Sequence, residues 1–482
     1  MRTITTFAQP TFLNLSNVSL PLTPSGLPLS PIPLNELSQT VKGYEDNLRV
    51  PYVQNWNVSL QRELFKNGLF EVRYVGNKGT KLIRGFNINE ANIFENGILT
   101  AFRAVAAGGS HPLFESMFNG LRLASTRPVI NGTTVTAGAE LRFNSTTGAF
   151  FANNNVGGFA SFLATTNSFT GVRGGLIARA GLPANFIFAN PQFSGATLTG
   201  NTANSTYHSM QLDFSKRFTN GWVLQSNYTW SKALGEEEGS GQEMADNFLT
   251  LRNKRLDKSR LDFDFRHIWR SSGTYELPFG PGRKFLNGKN GIISRLVERW
   301  QMGAIYILQS GQPIALTSGR SSFNQNTDNA PTLVGSLPPG TGTVTRTANG
   351  VVYFSGFTQV TDPAVAGITT LQGLQARSTL RAIVDANGNL ILVNPTPGTI
   401  GTLARNYLEG PGNYRLDINL IKRIRIREEI NFELRADFIN AFNHPIFGNP
   451  DTNINSANFG RITAHPANAG NRIIVVGARI NF

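Results

Sequence analysis

The sequence contains no cysteine and no long apolar run, and both absences narrow the classes of protein that it can encode. Without cysteine, a disulfide framework, a zinc–thiolate site and a thiol nucleophile are excluded. Without about 20 consecutive apolar residues, a transmembrane helix is excluded as well. A membrane-spanning β-barrel stays compatible with the sequence, because half of the residues in each of its strands are polar.

The composition favours an all-β fold. The 482 residues include 49 Gly, 24 Pro and 34 Phe, a mixture that suits many strands joined by turns and irregular loops. One ordinary soluble core rarely reaches this length, whereas a large barrel does. Residues 1–43 are rich in proline and predict an irregular segment, so we expect the strands to occupy residues 44–482.

Nine segments alternate between apolar and polar residues with a period of two, the pattern of strands with two different faces. In the first, Val58 and Leu60 alternate with Ser59 and Gln61, and an Asn-Gly hairpin signal follows at 67–68. The predicted strands are 52–64, 70–74, 210–214, 222–230, 261–277, 300–310, 416–420, 430–438 and 472–482.

The ninth segment runs to the end of the chain and stops on the aromatic Phe482. The ends of soluble proteins usually fray, so a buried strand is an unusual terminus for them. A transmembrane β-barrel has such a terminus routinely, because its last strand must pair with the first to close the sheet. This ending therefore favours a membrane barrel.

The two phases of the strands differ in composition. All five tryptophans fall on the apolar phase at or near strand ends, as in a barrel whose outer surface meets lipid headgroups at two levels. This predicts an aromatic girdle of Trp56, Trp222, Trp230, Trp269 and Trp300. The opposite phase carries amides and charges of both signs, and a solvated sheet face of a soluble protein would look the same. The predicted lumen-facing residues are Asp417, Asn419, Glu433, Arg435, Asp437 and Arg479.

The connections between the predicted strands alternate in length. Four connections are long and lie near 85–205, 234–260, 312–411 and 441–470. Most of the remaining connections are short turns. Outer-membrane barrels have short periplasmic turns and long extracellular loops, so we expect these four segments to be extracellular. The connection 279–298 is the exception, with a possible helical turn at 292–299. Because single-chain bacterial barrels have an even number of strands, nine strands predict a partial antiparallel barrel that contains the C-terminal strands.

The sequence predicts no catalytic, cofactor or metal site and no enzyme activity. The five histidines lack metal-ligand spacing, the glycine-rich run 282–289 departs from a phosphate-binding loop, and 385–389 departs from a calcium loop. The formal net charge of +14 could attract nucleic acid. However, the dense basic clusters at 252–260 and 421–427 lack a stacking platform of aromatic residues, so we expect no nucleic-acid partner.

Several short segments of the sequence resemble segments that occur in the same order in large TonB-dependent, Oar-like outer-membrane proteins. These segments lie at 49–63, 76–79, 207–212, 227–232, 275–280 and 440–445. At the end of the chain, Gly477, Ile480 and Phe482 resemble the signal that the barrel-assembly machinery reads, with Val475 where a polar residue is common. The resemblance implies a place in the outer membrane of a Gram-negative-type bacterium, contact with its lipid, and energised uptake of a bulky, unidentified solute.

In that family a signal peptide, a β-sandwich, a plug and an energy-coupling box precede the barrel. None of these is visible in the sequence, so we expect that the chain begins partway through a longer gene product or that a leader was removed. Partnership with the TonB energy complex is expected only if a plug and a box lie upstream. The alternatives are a passive porin or adhesion barrel and a soluble all-β binding protein.

Overall fold

A long antiparallel sheet forms the body of the protein. The computed structural model describes residues 33, 36–219, 221–236, 248–286, 292–327, 329–338, 341–426, 430–463 and 470–481. Nine strands pair in chain order, each with the next. They are β1 Tyr52–Phe65, β2 Gly68–Asn87, β3 Phe193–Thr219, β4 Trp222–Gly235, β5 His267–Glu276, β6 Trp300–Gln309, β7 Asn413–Arg425, β8 Asn431–Ile439 and β9 Ile473–Asn481.

Two further strands extend the sheet. Gln39–Tyr44 pairs in parallel with the beginning of β3, and Ser259–Arg260 pairs with the end of β4. The first of these lies partly in the segment 1–43, whose remaining residues fall almost entirely outside the described ranges. Within those ranges β1 pairs only with β2 and β9 only with β8, so the sheet has two free edges. The sheet is therefore an open portion of a barrel wall, as the sequence predicted.

The strand expected at 261–277 begins six residues later, at His267. Asp264 is the physical reason, because its carboxylate accepts a hydrogen bond from the Ala233 N–H at 2.7 Å and forms an ion pair with Arg260 at 2.7 Å. The Asp264 N–H donates to the Leu261 carbonyl, which closes a turn. Leu261 is buried, whereas Phe263 on the same phase is 52% exposed, so this stretch does not keep a single apolar face as a strand would.

The four longest connections leave one end of the sheet, which we call the loop end. The strand ends on either side of the short connections at 66–67, 220–221 and 426–430 lie at the opposite end, which we call the turn end. The connection between β5 and β6 also lies at the turn end and contains a helix, Ile292–Val297, where the sequence predicted a helical turn.

The connection between β2 and β3 folds into six short helices, which the sequence did not predict. They are α1 Ile98–Ala106, α2 Pro112–Phe118, α3 Ala137–Phe143, α4 Ser145–Ala152, α5 Val156–Thr165 and α6 Gly175–Arg179. Their core is rich in phenylalanine, and the rings of Phe102 and Phe159 contact Phe151 at centroid distances of 4.6 and 4.8 Å. Among the described helices, none has the length and apolar character needed to cross a membrane.

The connections after β6 and β8 form small sheets and a second apolar core around Phe354, Ile383 and Leu392. Their strands are Pro313–Ile314, Thr332–Leu333, Thr345–Thr347, Gly350–Val352, Thr358–Thr361, Arg381–Val384, Leu390–Val393, Leu408–Glu409 and Arg461–Ile462. Short 3-10 helices occur at Lys254–Asp257, Pro363–Gly367, Leu371–Gly373 and Gln375–Arg377. Residues 385–389 form a turn between two of these strands, in which Asp385 accepts from the Asn387 and Asn389 N–H groups.

The long connections bind one another and form one layer, which we call the loop layer (residues 88–192, 248–266, 310–412 and 440–463). The Arg377 guanidinium donates to the carbonyls of Arg142 and Asn144, and the Gln325 amide donates to the Asn89 carbonyl. At the start of α5, the Gly157 N–H donates to the Ser321 carbonyl at 2.8 Å. Backbone segments that are distant in sequence are therefore held in fixed positions.

Gly157→Ala should loosen this layer, because a Cβ at residue 157 would overlap the backbone of Asn324. We expect the overlap to cost about 1–3 kcal/mol. Hydrogen exchange of the α5 amides and proteolysis within 312–411 would measure the loss of protection. Gly367→Ala is the matched control, because nothing lies within 4 Å of its added Cβ. Equal protection of both variants would contradict the packing described.

Candidate functional site

The strand register decides which side chains share a face of the sheet. In antiparallel strands, directly opposed residues point to the same side. Asn419 opposes Asp437, Arg435 opposes Gly477, and Glu433 opposes Arg479. With Asp417 two residues before Asn419, all six residues predicted to line a lumen lie on one face, which we call the polar face. That this face lines a lumen stays a prediction.

The polar face pairs its own charges. Three ion pairs join residues two apart in one strand: Arg73–Glu71 at 2.6 Å, Arg415–Asp417 at 2.6 Å and Arg435–Asp437 at 2.8 Å. Arg423 of β7 also reaches Glu433 of β8 at 2.9 Å. Because these groups are partly exposed to solvent, each pair contributes at most about 1 kcal/mol. Their main effect is to keep the face wet and locally neutral.

The charges of the polar face balance where the strands pair without a register shift. There the nine strands carry seven carboxylates and seven guanidinium groups on this face, whereas Arg84 and Arg217 lie at or beyond the register shifts of β2 and β3. These carboxylates and guanidinium groups belong to Glu63, Glu71, Asp213, Glu276, Asp417, Glu433 and Asp437, and to Arg73, Arg270, Arg415, Arg423, Arg425, Arg435 and Arg479. A trough of about 580 Å³ on this side of β4–β9 is lined in part by Asp417, Asn419, Arg435 and Asp437. This surface can hydrogen-bond a polar solute without selecting strongly for the sign of its charge.

The opposite, apolar face carries the five predicted girdle tryptophans at two levels. Trp222 and Trp300 begin β4 and β6 at the turn end, whereas Trp56, Trp230 and Trp269 lie nearer the loop end. From Trp222 to Trp230 the strand rises about 27 Å, or roughly 20 Å along the barrel axis once a tilt of about 40° is included. Two headgroup layers are separated by a similar distance. Contact of these rings with lipid stays a prediction.

Two histidines on the apolar face have tyrosine partners that sequence reasoning missed. Tyr74 Oη lies 2.8 Å from His208 Nδ1, and Tyr228 Oη lies 2.8 Å from His267 Nδ1. Each pair is diagonal between neighbouring strands, so only the register reveals it. Hydrogen bonding to tyrosine lowers the cost of placing a polar ring on an apolar surface.

A buried ion cluster ties the sheet to the loop layer. Asp257 Oδ1 lies 3.1 Å from Arg84 Nη2 of β2 and 3.1 Å from Arg405 Nη1. The side chains of Arg84 and Asp257 are almost completely buried. Burial raises the pKa of the Asp257 carboxyl, and burial together with the charge of Arg84 lowers the pKa of Arg405 to about 10. Desolvation therefore opposes these charges, and their mutual contacts keep them ionised in place.

A cavity of about 720 Å³ lies beside this ion cluster, within the loop layer. Its walls come from residues 249–258, 315–330 and 400–405. The first of these contains most of the basic cluster at 252–260. Enclosure of this cavity by three distant segments could not be read from the sequence.

Two residues of the predicted assembly signal, Gly477 and Ile480, lie in β9 at one free edge of the sheet. Gly477 faces the polar side, whereas Ile480 is exposed on the apolar side of β9. Phe482 lies outside the described residues. Recognition of these residues by the barrel-assembly machinery stays a prediction. Within the described ranges, no group of three or more His, Asp or Glu side chains is placed to hold a metal ion.

The fold and its two unlike faces define an outer-membrane β-barrel, and comparison with known families agrees. The family model described as "Outer membrane beta barrel domain" matches residues 2–474, so the chain belongs to that family. The protein therefore belongs to the outer membrane of a Gram-negative-type bacterium, in contact with its lipid. This location excludes the alternative of a soluble all-β binding protein. No curated protein matches the chain.

Solved structures of outer-membrane proteins show a distant likeness. The transporter YddB of Escherichia coli matches with 9% identity and a TM-score of 0.34, over 92% of this chain and 33% of that one. The iron transporter FrpB of Neisseria meningitidis matches with 9% identity and a TM-score of 0.29, over 91% and 32%. A structure of the FpvAI–pyocin S2 complex matches with 8% identity and a TM-score of 0.29, over 89% of this chain and 26% of that one.

The chain spans about a third of the length of these proteins or less. Because all three TM-scores lie below 0.5, the family assignment rests on the sequence match.

Proposed function

We propose that this chain is the barrel portion of a TonB-dependent transporter that takes up a bulky solute across the outer membrane. The observation that carries the proposal is the pairing of a wet, charge-balanced polar face with a folded loop layer at one end of it. The likeness of residues 49–63 and 440–445 to Oar-like proteins also supports it.

In this proposal the loop end faces the cell exterior and the turn end faces the periplasm. The loop layer captures the solute, because its segments enclose a cavity large enough for an organic molecule. The polar face then lines the path through the membrane and exchanges hydrogen bonds with the solute and with water. The apolar face, with its tryptophans, contacts lipid. The protein transports its ligand without converting it.

Energy coupling separates this proposal from a passive porin or an adhesion barrel. In the source bacterium, strains that lack this gene, TonB or both would be compared for growth on an array of single carbon, iron and sulfur sources. We expect one or more nutrients on which all three strains show the same defect, because a coupled transporter is inactive without TonB.

Uptake of such a nutrient, supplied with a radioactive label, should also stop when the proton gradient is dissipated. A passive barrel gives a different result, since uptake would continue without TonB and without the gradient. A strain defect that the loss of TonB does not reproduce would therefore overturn the proposal.

A further inference from the structure

Most of the charged residues that line the cavity in the loop layer are cations. Arg252, Arg255, Lys258 and Arg405 contribute four positive charges to its lining, whereas Asp257 contributes one negative charge. The lining thus carries a net charge of +3 (4 − 1). This contrasts with the polar face of the sheet, whose charges balance. Three of the five basic residues of the cluster at 252–260, namely Arg252, Arg255 and Lys258, therefore lie at one concave surface.

Two of these cations are already engaged. Arg252 forms a bidentate ion pair with Glu95, at 2.6 and 2.7 Å, and Arg405 shares the Asp257 carboxylate with Arg84. The other two, Arg255 and Lys258, make no ion pair within the described ranges. Both are exposed at the cavity. Their charge is the part of the lining that an incoming anion can neutralise.

The remaining lining is largely apolar. It includes Leu249, Leu256, Leu316, Phe323 and Leu403. Leu316 and Leu403 are buried, and Phe323 is held by ring contact with Phe94 at a centroid distance of 4.9 Å. A lining that combines apolar side chains with two cations that form no ion pair is complementary to a molecule with an apolar body and an anionic group. Guanidinium and ammonium groups bind carboxylate, sulfate and phosphate oxygens through charge-assisted hydrogen bonds.

The backbone around the cavity is fixed before any ligand arrives. The Glu90 carboxylate accepts hydrogen bonds from the Thr250 hydroxyl and the Leu251 N–H, both at 2.8 Å. The Leu249 N–H donates to Asp257, so the chain on both sides of Arg252 is anchored. A site whose backbone is already ordered loses less conformational entropy when it binds a ligand.

We propose that this cavity binds an amphipathic organic anion, an apolar or aromatic body that carries a carboxylate, sulfate or phosphate group. The proposal rests on the proposed uptake function, for which it names the class of solute. Arg255 and Lys258 contact the anionic group, and the leucine and phenylalanine side chains contact the apolar body. Attraction by the basic lining raises the local concentration of the solute at the loop layer.

The test measures equilibrium binding to the full chain, purified in a non-ionic detergent. The probe is 1,5-naphthalenedisulfonate, titrated by calorimetry and compared with neutral 1,5-naphthalenediol and with inorganic sulfate. We expect the disulfonate to bind at least about tenfold more tightly than either, because only it offers both an anionic group and an apolar body. Binding should weaken as salt is added.

Arg255→Glu combined with Lys258→Glu should lower the affinity for the disulfonate by more than about tenfold. The matched control is Lys66→Glu with Lys284→Glu, which makes the same charge change at the turn end and should leave the affinity unchanged. A heat-modifiable band on electrophoresis verifies that each variant is folded.

Equal binding of the disulfonate and the diol would overturn the proposal, as would unchanged affinity of the Arg255/Lys258 variant. Binding of inorganic sulfate as tightly as the disulfonate would also overturn it, because the apolar wall would then have no role. Since this measurement needs neither TonB nor a membrane potential, its outcome is independent of the growth test. Anion binding can therefore be observed even if TonB-dependent uptake is not. Failure of the anion-binding proposal is thus distinguishable from failure of the proposed function.

Discussion

Ile418→Arg is expected to lower the free energy of unfolding of the barrel by about 2–4 kcal/mol. Ile418 lies on the apolar face and opposes Ala304. Along β6, Trp300 marks the lower tryptophan level, and Leu308 marks the upper level because it opposes Trp269. Ala304 lies midway between Trp300 and Leu308, so Ile418 lies midway between the two levels. An arginine there would place its guanidinium in the hydrocarbon, where hydrogen-bond acceptors are scarce.

Ile305→Arg provides a control with the same chemistry at nearly the same depth. Ile305 opposes Asp417 on the polar face and is half exposed, so a new guanidinium would meet water and a carboxylate. We expect a change within about 0.5 kcal/mol. Leu434→Arg is a second control, since Leu434 opposes Lys422, which in turn opposes Trp300 at the turn end. Near the interface, such a change costs about 0–1 kcal/mol.

Reversible unfolding by urea in lipid vesicles, followed by tryptophan fluorescence, would measure all three variants. The ranking matters more than any single value. If Ile305→Arg proved as costly as Ile418→Arg, the faces would be assigned wrongly, and the transport path inferred from them would have no support.

Asp257→Ala should destabilise the loop layer by about 3–5 kcal/mol, the second large effect. The change would remove the carboxylate shared by Arg84 and Arg405 and a partner of the Leu249 N–H. Burial already opposes ionisation at this site, as the raised pKa of Asp257 and the lowered pKa of Arg405 indicate. Without the Asp257 carboxylate, the buried charges of Arg84 and Arg405 would lose the ion pairs that offset the cost of removing them from water.

Glu95→Ala tests the same kind of interaction at the surface. Its partner Arg252 and Glu95 itself keep 42% and 60% of their side-chain surface exposed, so the loss should be below about 1 kcal/mol. Hydrogen exchange of amides in 249–258 and 400–405 would report both variants. Similar exchange in the two would show that the buried cluster does not hold the loops to β2.

The strands and their faces could be predicted because a period of two is a local signal. The apolar and polar phases of a strand can be recognised within about six residues. The two faces can therefore be assigned strand by strand, without knowledge of how the strands pair. The limit of β5 at His267 was predicted wrongly, since the alternation of 261–266 continues although Asp264 turns the chain. The hydrogen bond from Ala233, in a different strand, and the ion pair with Arg260 fix Asp264 at this boundary.

The loop layer could not be predicted for a different physical reason. Its helices span between five and ten residues, which is too short for a clear helical period. Its fixed points are contacts between residues distant in sequence, such as Arg84 with Asp257 and Arg377 with Asn144. The basic cluster at 252–260 was visible in the sequence, but its concave surroundings depend on residues 315–330 and 400–405.

The repeated ion pairs of the polar face have a consequence for evolution. In β2, β7 and β8, an arginine and a carboxylate two positions apart cancel each other within a single strand. Duplication or loss of such an ion pair adds or removes no net charge on the polar face. A strand that carries one can therefore be repeated around a barrel without adding charge through that pair, while the loops diverge independently.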